Sequence, residues 1–215
     1  MPDRTKMQTQ IDLMSALERG EVVSQKALSQ RLSVSVGLVN LLLRRITQKG
    51  YVKAKSVPYR RWAYYLTPSG FAEKSRLVAM YLESSLGFFR KARQEYADLL
   101  TQLGASGTKR VVLVGRGELV EIAILAARET DIEIVGLLDR ESNTESVHGL
   151  AVLRSLDKLR PRTALVVTAS RHPQRTYDEV LPICGGLKIV APSFLHIVDR
   201  NAVAMSLPIA MESEQ

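Results

Sequence analysis

Between residues 69 and 103 apolar side chains recur at helical spacing without a break, and the pattern stops at Gly104, Ala105, Ser106 and Gly107. A helix of that length reaches about 50 Å at 1.5 Å per residue, more than one small core can cover. The chain reads as three pieces around it. On the N-terminal side, residues 6–67 alternate short helical patterns with one hairpin pattern; on the C-terminal side, residues 109–195 alternate strand and helix patterns. Four segments are predicted: a small α+β domain over 1–68, a connecting helix over 69–107, an α/β domain over 108–198 and an unassigned tail over 199–215. At 215 residues there is room for two cores, and 46% hydrophobic with 24% charged content excludes a disordered polymer.

The net charge of +8 is unevenly spread. Residues 1–110 carry 19 Lys and Arg against 8 Asp and Glu, whereas residues 111–215 carry 11 against 14. No acid occurs from 22 to 72, where nine bases do: Lys26, Arg31, Arg44, Arg45, Lys49, Lys53, Lys55, Arg60 and Arg61. A polyanion partner for the first half alone accounts for this asymmetry; a solvated basic face is the alternative. No run of 18 apolar residues occurs, so no spanning helix and no membrane partner are expected. The first ten residues contain no apolar signal core, which makes a cytoplasmic location the expectation. Cys184 stands alone, so neither an internal disulfide nor a cysteine metal cage can form.

Within 1–68, residues 5–18 place Met7, Ile11, Leu13, Met14 and Leu17 at helical spacing. Ser24 is an N-cap candidate for a helix over 25–32 with Ala27, Leu28 and Leu32 inward. After a tight turn at Ser33, Val34 and Ser35, Ser35 caps a second helix to about Lys49, closed by Gly50. Val39, Leu42 or Leu43, and Ile46 form its buried stripe, leaving Gly37, Leu38, Asn40, Leu41 and Arg44 on the other side. This is helix-turn-helix spacing, in which the second helix enters the DNA major groove. Asn40 and Arg44 are the base-contact candidates, as amide suits adenine and guanidinium suits guanine, with Arg45 beside them. Ser35 is placed to hold a phosphate. A hairpin follows, with its tip at 58–61 and Trp62, Tyr64 and Leu66 on one face over the helices. Arg60 and Arg61 at the tip suit phosphate or the minor groove, and Lys53 and Lys55 share a strand face that could follow the backbone.

The runs Leu-Ser-Gln-Arg-Leu (28–32), Ser-Val-Ser-Val-Gly-Leu-Val-Asn (33–40), Gln-Lys-Gly-Tyr-Val-Lys (48–53) and Tyr-Tyr-Leu-Thr-Pro-Ser-Gly-Phe-Ala-Glu-Lys (64–74) resemble a MarR-type winged helix. Within that group the segment 7–103 is most similar to short regulators associated with exopolysaccharide gene clusters. The resemblance implies sequence-specific binding of double-stranded DNA by a dimer.

In the long helix a heptad seam reads Val78, Leu82, Ser85, Phe89, Ala92, Tyr96, Leu99 and Leu103. Pairing with a second copy is the expectation, since two half-sites need a spacer between readers; packing on its own domain is the alternative.

The segment 108–198 opens with a buried strand ending in Gly115, Arg116 and Gly117, then a helix over 118–128 with Leu119, Ile122, Ala123, Leu125 and Ala126 apolar. A second strand, 132–138, ends at Asp139; further strands are predicted at 150–153, 164–168 and 187–190, with helices from Ser155 and over 172–182. The alternation predicts a parallel sheet with Rossmann-like winding, whose site lies at the carboxyl ends of the strands. Gly115 and Gly117 admit a phosphate to a helix N-terminus, flanked by Arg116, Glu118 and Leu119. Asp139, with Arg140, stands where a ribose hydroxyl would be met, and Thr168, Ser170 and Arg171 offer hydroxyl and cationic groups. The third glycine of the dinucleotide fingerprint is Val120 here. A ligand-free dimerisation domain is the competing reading.

Val135, Gly136, Asp139, Gly149 and the run Ser155-Leu156-Asp157 resemble the small Rossmann-like domains that precede sugar-modifying enzymes of surface-polysaccharide pathways. That resemblance, over 110–195, implies a nucleotide or nucleotide-sugar ligand. The whole order also resembles redox-sensing repressors, in which a winged helix precedes an NADH-binding domain. No cofactor is required; a nucleotide-type effector, nucleotide-sugar or NAD(H), is expected. His148, His172 and His196 have no metal-ligand spacing, Cys184 has no base beside it, and no nucleophile elbow or phosphate-loop lysine occurs, so no catalytic or metal residue is assigned.

Overall fold

The computed structural model describes residues 2–18, 24–57, 61–140, 142–157 and 159–199. Contacts divide the chain between Gly87 and Phe88, inside the helix expected at 69–107, so one helix contributes to two compact units.

The first unit contains α1 (Pro2–Leu17), α2 (Gln25–Leu32), α3 (Val36–Gln48), the antiparallel hairpin β1 (Val52–Val57) and β2 (Arg61–Leu66), and the first part of α4 (Pro68–Ala105). Its helix ends are set by local chemistry. The Ser24 hydroxyl accepts from the Ala27 amide at 3.1 Å and the Ser35 hydroxyl from the Leu38 amide at 3.2 Å, each satisfying a donor the helix cannot. Gly50, at φ +73°, closes α3: its amide meets the Thr47 carbonyl and the Tyr51 amide meets the Ile46 carbonyl, both at 2.9 Å. Leu13, Met14, Leu17, Leu28, Val39, Leu43 and Ile46 form the core with Val52, Tyr64 and Leu77. Both Leu42 and Leu43 join the stripe of α3. Two inward assignments fail. Ala27 is exposed, its place taken by Ser29, whose hydroxyl satisfies itself on the Lys26 carbonyl. Trp62 shares a face with Tyr64 and Leu66 but lies one register step nearer the hairpin tip, and stays 51% exposed.

The second unit takes the last part of α4, then β3 (Arg110–Val114), α5 (Glu118–Ala127), β4 (Glu133–Leu138), β5 (Ser146–Val147), β6 (Leu150–Leu153), β7 (Thr163–Val167), α6 (Pro173–Val180) and β8 (Ile189–Val190). The sheet order is β5-β6-β4-β3-β7-β8, parallel throughout except for the β5–β6 edge. It is an α/β unit. β3 and β7 are buried along nearly their whole length, as strands covered on both faces must be. One face is covered by α5 and by Ala92, Tyr96, Leu100 and Leu103 of α4, the other by residues around α6 such as Val180 and Leu187. The seam expected for a second copy is thus used within this unit over Ala92, Tyr96 and Leu103, with Phe89 and Leu99 packed alongside. Leu125 is the exception on the apolar side of α5, at 38% exposed.

The helix expected from Ser155 is absent among the described residues. The Ser155 hydroxyl caps the Asp157 amide at 3.1 Å and bonds its carboxylate, a local turn that competes with helix formation. The tail from 200 onward lies outside the described residues. No helix among the described residues is long and apolar enough to cross a membrane.

Candidate functional site

In the first unit, α3 presents its candidate residues as the helical period requires. Val39, Leu42, Leu43 and Ile46 hold the helix to the core, while Gly37, Leu38, Leu41, Arg44 and Arg45 are exposed and Asn40 is half-buried. Lys53 and Lys55 are exposed on one hairpin face, opposite Tyr65 and Ala63 in the register. Arg60 and the side chain of Arg61 lie outside the described residues. Ser35 is exposed at the start of α3, its hydroxyl engaged as the cap.

Helix α4 is fastened to this unit at its start. Thr67 is the N-cap, accepting from the Gly70 amide at 3.1 Å while donating to the Gly50 carbonyl at 2.7 Å, and Ser69 reaches the same carbonyl at 3.3 Å. Gly70 lies so near the Tyr51 carbonyl that a Cβ there would stand 2.9 Å from the Tyr51 carbonyl carbon and closer still to its oxygen.

The second unit carries a cavity of about 910 Å³ at the carboxyl ends of β3, β4 and β7. The sheet order reverses direction at β3, so the loops after β3 and β7 leave toward opposite faces and a crevice opens between them. Gly115, Arg116, Gly117, Glu118, Asp139, Arg140, Ser170 and Arg171 line it, joined by His172, Arg175, Thr176 and Glu179 from the start of α6. His172 ends the run from Thr168 that the sequence already offered; Arg175, Thr176 and Glu179 were missed because nothing in the sequence between 173 and 179 resembles a known fingerprint.

Two expected residues do not line the cavity. Leu119 is 4% exposed and belongs to the core beneath α5. Thr168 is fully buried, and its hydroxyl donates to the carbonyls of Val114 or Gly115, at 3.2 and 3.1 Å. Val120, in place of the third glycine, is fully buried in the same core as Leu119.

Four of the remaining groups are paired, Arg116 with Asp139 and Glu118 with Ser170. Asp139, its side chain 8% exposed, accepts two bonds from the Arg116 guanidinium, one of 2.9 Å from Nη2. Such a bidentate pair is geometrically specific and keeps the carboxylate satisfied. Gly115 and Gly117 have positive φ, +95° and +119°. A Cβ on Gly115 would stand 2.6 Å from the Ala169 Cβ, and one on Gly117 would overlap the Ser170 hydroxyl. Close approach of the two loops requires Gly115, and the positive φ requires Gly117, where the Ser170 hydroxyl could rotate away. Glu118, at the first position of α5, has its carboxyl held below the usual carboxylate range, first by its own backbone amide and then by the Ser170 hydroxyl at 3.2 Å. It is an anion at the spot where a phosphate would meet the helix.

Among the described residues no three His, Cys, Asp or Glu gather to hold a metal ion. His148 pairs instead with Glu121 at 3.3 Å, and Cys184 is half-buried with its thiol on the Leu181 carbonyl.

No protein-family model and no curated protein sequence matches the chain. Among solved structures, MepR, a transcription regulator of a Staphylococcus aureus multidrug efflux pump, is similar at 19% identity and a TM-score of 0.32, over 45% of this chain and 77% of its own. A MarR transcriptional regulator from Methanosarcina mazei matches at 19% identity and 0.31, over 37% of this chain and 60% of its own. PigF with SAH matches at 13% identity and 0.25, over 77% of this chain and 57% of its own.

Proposed function

We propose that the chain is a sequence-specific DNA-binding transcription regulator, cytoplasmic and homodimeric, whose Rossmann-like second unit senses a nucleotide-type ligand. One observation carries the DNA reading: a helix pinned by four buried residues leaves Arg44 exposed, with the half-buried Asn40 one turn before it, within an acid-free basic stretch. Ser35, Lys53 and Lys55 supply phosphate contacts around it. A second copy brings a second α3 to the other half-site, and Leu82 and Leu86, both more than half exposed on α4, are the pairing surface. The likeness of the first segment to exopolysaccharide-associated regulators suggests surface-polysaccharide genes as targets.

Arg44→Ala is expected to weaken binding to an operator selected from random DNA by about 1–3 kcal/mol and to relax one base preference. Fluorescence anisotropy measures both. Unchanged affinity would remove α3 from the role of reader.

The ligand reading rests on the cavity at the strand-order reversal, with Asp139 closing the second strand. Nucleotide-sugars and NAD(H) are the candidates. A ligand at about 100 times its dissociation constant adds about 2.7 kcal/mol, so a thermal-shift panel of NAD, NADH, UDP, GDP and nucleotide-sugars is expected to raise the melting temperature with one class. The packing of Gly115 on Ala169 and Gly117 on Ser170 favours a second reading, a constitutive DNA-binding scaffold whose second unit only mediates contacts. A flat panel would select that reading.

A further inference from the structure

The cavity of the second unit is bounded by the starts of two helices, and they differ in charge. The first turn of α5 carries Glu118 and Glu121, whereas the first turn of α6 carries no acid. At the α5 side the ionised Glu118 already occupies the helix start, bonded to its own amide and to Ser170, with the charge of Arg171 acting on it from across the cavity. A phosphate placed there would face a full negative charge at contact distance, which the partial positive charge of a helix start, about half an elementary charge, cannot offset. At the α6 side, Arg171, His172 and Arg175 line the same cavity, and His172 gives the helix no side-chain cap. Arg175 is held by Glu179 at 2.7 Å, but both side chains are more than half exposed, so this pair exchanges readily with a ligand anion.

We infer that the cavity holds its ligand's phosphate on the Arg171–Arg175 wall, and that Glu118 closes the Gly-x-Gly turn to phosphate and receives a hydroxyl or amino group instead. This rests on the reading of the cavity as a nucleotide site and fixes the ligand's direction within it. The ligand class is a nucleoside phosphate bound in the reverse sense to a dinucleotide fingerprint. Guanidinium groups suit the task because their paired donors match phosphate oxygens. Arg116, bound to Asp139, stays with the nucleoside end.

The test measures dissociation constants of ADP and adenosine by calorimetry on the full chain, because their ratio isolates the phosphate. The wild type is expected to prefer ADP by tenfold or more. The double variant Arg171→Ala with Arg175→Ala loses that preference, while Arg116→Ala changes both constants yet keeps the ratio. Adding Glu118→Gln to the double variant restores part of the preference by opening the turn. All substituted side chains are at the surface, and an unchanged circular dichroism spectrum with a cooperative melting transition shows that each variant is folded. A preference that survives the double variant but disappears in Arg116→Ala overturns the inference. Equal binding of ADP and adenosine by the wild type overturns it too, while leaving a nucleoside site in place. Binding of neither removes the nucleotide reading along with it.

Discussion

Replacing Gly70 by alanine is expected to destabilise the first unit by about 3 kcal/mol or more, although alanine is the better helix former. Two effects of opposite sign compete. Helix propensity favours alanine over glycine by about 1 kcal/mol at an interior position, and less near a helix start. Against it stands the Tyr51 carbonyl, so close that a Cβ would lie 2.9 Å from its carbon and nearer its oxygen. Backbone cannot swing aside as a flexible side chain can, so α4 must shift off the turn after α3. That shift breaks the Thr67 hydroxyl's bond to the Gly50 carbonyl, the Thr67 amide's bond to the Tyr51 carbonyl and the Ser69 bond. Overpacking typically costs about 1–3 kcal/mol and each lost bond about 1 kcal/mol, so the clash outweighs the propensity gain. Gly37→Ala is the matched control, since nothing lies within 4 Å of its added methyl, and there the propensity gain should appear alone. Urea unfolding followed by circular dichroism measures both. A stabilised Gly70→Ala chain would show that α4 is not held against Tyr51.

The features that were legible in the sequence are those decided within a few residues. Ser24 and Ser35 each precede an apolar period and cap it, and Gly50 ends one. The carboxyl-end loops of β3, β4 and β7 were readable from the same local punctuation, which is why most of the candidate cavity residues do meet in space. Depth and partner were not local. The period of Ala92, Tyr96 and Leu103 identifies a helix stripe but not what covers it, and the structure covers it with the chain's own sheet and α5. Thr168 and Leu119 flank the cavity loops in sequence yet turn inward, one onto strand carbonyls and one into the core. Ser155 begins a pattern that resembles a capped helix, but its hydroxyl is spent on Asp157 two residues away. Glu118 was readable as an acid at a helix start; its bond to Ser170, 52 residues later in the chain, was not.

Tyr96→Ala is expected to cost the second unit about 3–5 kcal/mol, the range for emptying a large aromatic site in a packed core. Tyr96 is fully buried on α4 between the sheet and Phe194, whose ring meets it edge-on with centroids 6.0 Å apart. Its hydroxyl donates to the Val167 carbonyl at 2.9 Å, at the end of β7 and two residues before the loop that packs on Gly115. Burial pushes the phenol's pKa up, with the charge of Glu95 adding to it, so the hydroxyl remains a donor across the working pH range. Tyr96→Phe separates the two contributions. The ring still fills the site, but the Val167 carbonyl loses its buried donor, and such a loss costs about 1–3 kcal/mol. The two variants together therefore give the ring's packing as their difference, followed in the unfolding transition of the second unit. If Tyr96→Phe is as stable as the wild type, the hydroxyl does not satisfy β7. If Tyr96→Ala unfolds that unit no more easily than Tyr96→Phe, α4 does not contribute to its core, and the stripe at Ala92, Tyr96 and Leu103 is available to a second copy after all.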